Sequence, residues 1–158
     1  MTTTTHTQQP EERQLISPVL TVICLATMLL LNWLWPIAGP VTPPFNRIGL
    51  FVGAGGLALC LVAQRQFRKA GTTLYPFSKP AKLVTSGMFR YTRNPMYLGL
   101  AIFLTGAWLL LGSLSPLGVV VAFVLIADRW YIASEERSMA SAFGKAYEAY
   151  RAKTPRWI

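Results

Sequence analysis

From Leu98 to Ala127 the chain carries no charged residue. A single helix of that length would reach ~45 Å, against a hydrocarbon core of roughly 30 Å. The stretch "GSLSPLG", Gly112 to Gly118, interrupts the run with turn formers. The run therefore predicts a helical hairpin with arms at about Met96 to Leu111 and Pro116 to Ile132. Both arms are near the minimum spanning length, so tilting or local thinning of a bilayer goes with them.

Two further apolar runs precede the hairpin. Leu15 to Trp35 is free of charge and long enough to span. It is too long for the apolar core of a signal peptide and lacks an A-x-A cleavage site. The second run, Ile48 to Ala63, is shorter and holds Gly53, Gly55 and Gly56, small residues that allow close helix contact. Composition agrees with a bilayer protein: 53% of residues are hydrophobic and 13% charged, against roughly 25% charged in a soluble domain. Cys24 and Cys60 lie inside apolar runs, where a thiol acts as a small hydrophobe, so neither a disulfide nor a metal site is expected.

The net charge of +9 would suit nucleic acid in a soluble protein, but here the basic residues sit between apolar runs. No nucleic-acid partner is expected. The loop after the second run holds Arg65, Arg68, Lys69, Lys79, Lys82, Arg90 and Arg93 with no acidic residue, and the tail holds Arg137, Lys145, Arg151, Lys153 and Arg156. The first connection has only Arg47 and the hairpin turn has no charge. The positive-inside rule then places both rich segments in the cytoplasm, with four crossings and both termini inside. The expected fold is all-α and polytopic: a disordered stretch over residues 1–14, then one membrane-embedded domain over 15–158. Its spans lie near 15–35, 48–66, 96–111 and 116–132, with a loop over 70–95 and an amphipathic cytosolic helix over 135–152.

Three polar elements converge on that face. In Ala70 to Gly99, Gly87 and Asn94-Pro95 are turn points, because the residue before proline is pushed away from the helical region. A helix starts near Pro95, and its first-turn N–H groups suit a carboxylate or other anion. In "ADRWYIASEERSM", Ala127 to Met139, regular helical spacing puts Asp128 and Glu135 on one face and Arg129 and Glu136 on the next. Ionisable residues at the end of an apolar arm usually have a partner or a task. In the tail, Met139, Phe143, Tyr147 and Tyr150 share one helical face, which suits a helix lying on the membrane or closing over a small molecule.

Other chemistries find little support. His6 lies in a Thr-rich N-terminus, no cluster has metal-ligand spacing, and no G-x-S-x-G, Walker-type or Rossmann glycine pattern occurs. No metal is expected. A transporter would place polar residues near the midplane or show repeated halves, and the chain does neither. A scaffold for anionic lipids needs Lys and Arg but has no requirement for Glu135 and Glu136.

"LVTSGMFRYTRNPMYLG", followed after the hairpin by "EERSMASAFGKAYEAYRAKTPRWI", resembles the isoprenylcysteine carboxyl methyltransferase and phospholipid methyltransferase superfamily of integral membrane enzymes. The resemblance covers about Ala70 to Ile158. It implies S-adenosylmethionine as cofactor and a lipid or lipid-modified acceptor in the membrane. Methylation of a small amphipathic molecule or thiol is the alternative within the enzyme class. Eukaryotic members tend to read Arg-His-Pro where this chain has Arg93-Asn94-Pro95, which points to a bacterial member in the inner membrane. Asparagine can hydrogen-bond a cofactor but cannot act as acid or base near neutral pH.

The resemblance also implies site roles. Val84, Thr85, Gly87, Arg93, Asn94 and the helix start at Pro95 hold polar parts of the cofactor. Tyr91 and Tyr97 face its adenine or sulfonium, the latter favoured over an aromatic ring. Glu135 or Glu136, matching the family's acidic pair, binds the ribose hydroxyls or the amino group. Arg129, positioning an anionic acceptor, and Glu135 are the candidates for direct action on the reaction.

Overall fold

The computed structural model describes residues 16–71 and 82–158. The expectations for residues 1–14, His6 included, and for 72–81 of the basic loop, Lys79 included, lie outside the described residues. Among the described residues the chain is all-helical, with no strand beyond an isolated bridge between Ala38 and Ser113.

Helices α1 (Ile16–Leu34), α2 (Ile48–Lys69), α3 (Pro95–Leu111) and α4 (Leu117–Ile126) follow the apolar runs. The second extends a turn beyond expectation, carrying Arg68 and Lys69 in its last turn, where the helix dipole favours cations. The hairpin between α3 and α4 forms as its turn formers predict. Gly112 ends α3 in the left-handed region, φ +70°, which only glycine adopts without penalty. At this end the Ser113 hydroxyl donates to Asn32 Oδ1 at 2.5 Å, tying the turn to the end of α1, and Asn46 Nδ2 donates to the Leu110 carbonyl at 2.9 Å, tying the end of α3 to the first connection.

α2 and α3 approach backbone to backbone. A Cβ at Gly56 would lie 2.5 Å from the Gly99 carbonyl oxygen, and one at Gly99 would lie 2.7 Å from the Gly56 oxygen. Gly49 and Gly53 of α2 and Gly106 of α3 continue the same seam. Gly55 does not belong to it and faces open space, because one residue off the i, i+3, i+4 stripe turns it to the outer side. The core proper joins Cys24 and Met28 of α1, Tyr97, Ala101 and Leu104 of α3, and Val120 and Phe123 of α4.

Large apolar side chains also face outward, among them Trp33, Trp35, Leu50, Phe51 and Val121. Exposed large apolar side chains in this number suit lipid better than water. Phe45–Lys69 and Leu117–Phe143 are long and apolar enough to cross a membrane, and Pro18–Leu34 and Pro95–Leu111 are shorter apolar helices.

Beyond α4 the helix does not stop. A π-helical turn, Ala127–Ile132, runs on into α5 (Ala133–Phe143), and α6 (Lys145–Lys153) follows. The single tail helix expected over 135–152 is thus divided at Gly144, whose φ of +49° and ψ of −125° break the ladder. Tyr147 is buried, while Met139, Phe143 and Tyr150 are half-buried against the rest of the chain.

Candidate functional site

The polar residues gather where the basic loop, the start of α3, the π turn and the last residues of the chain meet. The loop arrives through a short turn, Gly87–Arg90. Gly87 sits at φ +64°, and a Cβ there would lie 2.6 Å from the Gln66 amide. That amide accepts from the Met88 N–H at 2.9 Å, docking the loop on α2. Asn94 takes the non-helical conformation expected before proline, and Pro95 opens α3.

The C-terminal segment closes over this corner as a strap. The Arg93 N–H donates to the Pro155 carbonyl at 3.0 Å. The Thr92 hydroxyl and Asn94 Nδ2 both donate to the Arg156 carbonyl, at 3.2 and 3.1 Å. The Tyr150 hydroxyl donates to the Phe89 carbonyl at 2.6 Å, and burial pushes that phenol up to about 12.

Four charges lock the strap to the helix. The Arg156 guanidinium takes Glu136 as a fork, Nε to Oε1 at 3.2 Å and Nη2 to Oε2 at 2.5 Å, and its Nη1 reaches both oxygens of Asp128 at 3.1 Å. Hydrogen bonding to Glu136, then to Asp128, holds Arg156 charged far above any working pH. Trp157 Nε1 donates to Asp128 Oδ1 at 2.9 Å. On the other side of Glu136, Arg93 Nη1 lies 2.9 Å from Oε1, with both side chains 9% exposed. Two cations and two anions balance, as buried ions must. One donor is left over: Arg93 Nε is buried without a hydrogen-bond partner among the described residues.

A second contact lies one residue away. The Tyr97 hydroxyl donates to Glu135 Oε1 at 2.7 Å, and the Tyr97 ring stacks on Tyr131 with centroids 6.3 Å apart.

The expected pairing of faces is corrected by the π turn. At regular helical spacing Asp128 and Glu136, eight residues apart, would diverge by about 80°. A π turn closes with one residue more, so the pair sits as i and i+7 would, within about 20°. Asp128 and Glu136 therefore share one guanidinium, which comes from Arg156 and not from Arg129. Arg129 is exposed, and its Nε reaches Asp128 only at 3.8 Å.

Of the residues singled out from sequence, Arg93, Asn94, Pro95, Tyr97, Glu135 and Glu136 come together. Val84 is half-buried nearby in sequence, whereas Thr85, Gly87 and Tyr91 are exposed. Arg156, Thr92 and Trp157 were not foreseen as parts of the site. The available signal was a surplus of acid: carboxylates at the end of an apolar arm need cations, and an arginine between Pro155 and Trp157 supplies one.

A family model described as phospholipid methyltransferase matches residues 45–146. A protein-S-isoprenylcysteine O-methyltransferase of Schizosaccharomyces pombe is 36% identical over 84 residues, 51% of this chain and 34% of that protein. An uncharacterised protein of Haemophilus influenzae is 42% identical over 64 residues, 40% of this chain and 100% of that protein. The chain thus matches about a third of the length of the fission yeast enzyme. With more than half of its residues matched, the chain belongs to the phospholipid methyltransferase family, within the superfamily that includes the isoprenylcysteine carboxyl methyltransferases.

Proposed function

We propose that the protein transfers a methyl group from S-adenosylmethionine to a lipid or lipid-modified acceptor at the cytoplasmic face of a membrane. The observation that carries this reading is the corner itself, where the Arg93-Asn94-Pro95 threshold meets Glu135 and Glu136 at the end of an apolar hairpin. Family membership supports methyl transfer.

The residues suit the cofactor in kind. A buried Arg93 Nε without a partner favours an added carboxylate, since an unmade hydrogen bond to a buried donor costs about 1–3 kcal/mol. Glu135, half-buried and held by one hydroxyl, has lone pairs left for an ammonium or ribose hydroxyl. The Tyr97 and Tyr131 rings suit a sulfonium. When bound, S-adenosylmethionine would supply an electrophilic methyl group for transfer to the acceptor's lone pair, with the thioether as leaving group. The chain's part is to bind and orient: Arg93 and Glu135 fix the two ends of the amino-acid moiety, and the apolar arms α3 and α4 exclude water. Arg129, exposed on the last membrane helix, holds an anionic acceptor.

Orientation follows from the strap. The basic loop and the C-terminal segment bond directly, Arg93 N–H to Pro155 carbonyl, which supports their lying on one side with the hairpin crossing twice between them. Four crossings with the basic face inside satisfy both this and the positive-inside rule.

Membranes containing the protein, incubated with methyl-labelled S-adenosylmethionine, test the reading. Label is expected in the lipid or lipidated-protein fraction and is lost with Glu135→Gln. Label found only in water-soluble products contradicts the assignment of the acceptor.

A further inference from the structure

Glu136 can serve Arg93 in two ways, and Arg156 decides between them. A carboxylate left alone with an arginine forms a parallel fork, two N–H donors to two oxygens. Here the fork on Glu136 is already taken by Arg156, through Nε to Oε1 and Nη2 to Oε2. From Glu136, Arg93 receives a single contact, Nη1 to Oε1 at 2.9 Å; the same Nη1 donates to the Tyr147 hydroxyl at 3.4 Å, and the Arg93 Nε is left without a partner among the described residues. Arg156 is itself held from behind, by both oxygens of Asp128 and through the Trp157 contact to the same carboxylate. The π turn makes this possible by bringing Asp128 into line with Glu136.

We propose that Arg156 is a positioning residue: by occupying the fork of Glu136 it limits that carboxylate to one contact with Arg93 Nη1, and so keeps the Arg93 Nε–H for an anion of the substrate complex. The proposal rests on the methyltransferase reading, in which that anion is the carboxylate of the cofactor's amino-acid moiety. It goes beyond family membership, because the matched region ends at residue 146, ten positions before Arg156. A planar guanidinium is required, since a lysine ammonium is a point charge that cannot hold both oxygens of a carboxylate in a fixed plane.

Two ligands separate this role from simple anchoring of the strap. S-adenosylhomocysteine carries the carboxylate; 5′-methylthioadenosine shares the nucleoside and thioether but lacks the amino-acid end. Titrations of the detergent-purified full chain with each give a preference ratio. Arg156→Ala is expected to lower affinity for S-adenosylhomocysteine by about 10- to 100-fold, the worth of charge-assisted hydrogen bonds, and to leave 5′-methylthioadenosine within about twofold. Arg156→Lys, which keeps the charge, is expected to lower the same ratio and decides the matter if the alanine variant does not fold. An equal loss for both ligands, or no loss for either, overturns the positioning role. No preference for S-adenosylhomocysteine in the unaltered chain overturns the cofactor reading itself, and the proposal with it.

Discussion

The Tyr97 hydroxyl donates to Glu135 Oε1 at 2.7 Å, so the first turn of α3 and the first turn of α5 are joined by one hydrogen bond. Tyr97 is 8% exposed, and its partner is half-buried. Tyr97→Phe keeps the ring stacked on Tyr131 and removes only the donor. It is expected to cost about 1–3 kcal/mol of stability, because the half-buried Glu135 then loses its hydrogen bond from the Tyr97 hydroxyl. Thermal unfolding in detergent reads this, and an unchanged midpoint would show that Glu135 finds water or another partner.

Removal of Glu136 should be the most damaging single change in the charge cluster. Glu136→Ala leaves Arg93 and Arg156 facing each other without their shared anion, and breaking one side of a buried pair costs about 3–5 kcal/mol. Asp128→Asn should cost clearly less, since Arg156 keeps its fork on Glu136 and the amide oxygen still accepts from Trp157. Denaturation of the two variants side by side tests the order, and a reversed order contradicts the central place given to Glu136.

The seam between α2 and α3 makes opposite predictions for two neighbouring glycines. Gly56→Ala puts a methyl 2.5 Å from backbone atoms of α3, which cannot move aside as a side chain can, and is expected to destabilise by about 1–3 kcal/mol. Gly55→Ala meets nothing within 4 Å and should be neutral or gain up to about 1 kcal/mol from helix propensity. Similar melting shifts for both variants would contradict the close approach.

High pH should loosen the C-terminal cap. Burial raises Tyr150 from 10.0 to about 12, and Tyr147 shifts the same way from the same cause. The unfolded chain therefore loses these protons first, so the contribution of Tyr150 is complete below pH 10 and disappears as pH rises toward about 12. Tyr150→Phe is expected to lower the melting midpoint at neutral pH by removing the bond to the Phe89 carbonyl, and to flatten the fall above pH 10. An unaltered slope would assign the fall to other groups.

Much of the site was legible because its parts are local. Asn94-Pro95 marks a helix start by backbone sterics alone, Gly112 to Gly118 marks a turn, and Glu135 and Glu136 stand out at the end of an apolar arm. What was not legible depends on tertiary contact. Asn94 and Arg156 are 62 positions apart, and no periodicity links a loop asparagine to a tail carbonyl. The π turn at Ala127–Ile132 has no sequence pattern that a regular helical projection reveals, so regular spacing pairs Asp128 with Glu135 and not with Glu136. The glycines of α2 mark a contact face, but without α3 in place nothing in the sequence tells Gly55 from Gly53 and Gly56.

The central claim is a cofactor site built on Arg93 and Glu135. Calorimetric titration of the detergent-purified, lipid-supplemented protein with S-adenosylhomocysteine tests it most directly, run beside Glu135→Gln. The account predicts saturable binding that the variant weakens about tenfold or more, as expected for loss of a charge-assisted contact. Absence of saturable binding in folded protein, or equal binding by the variant, would contradict it.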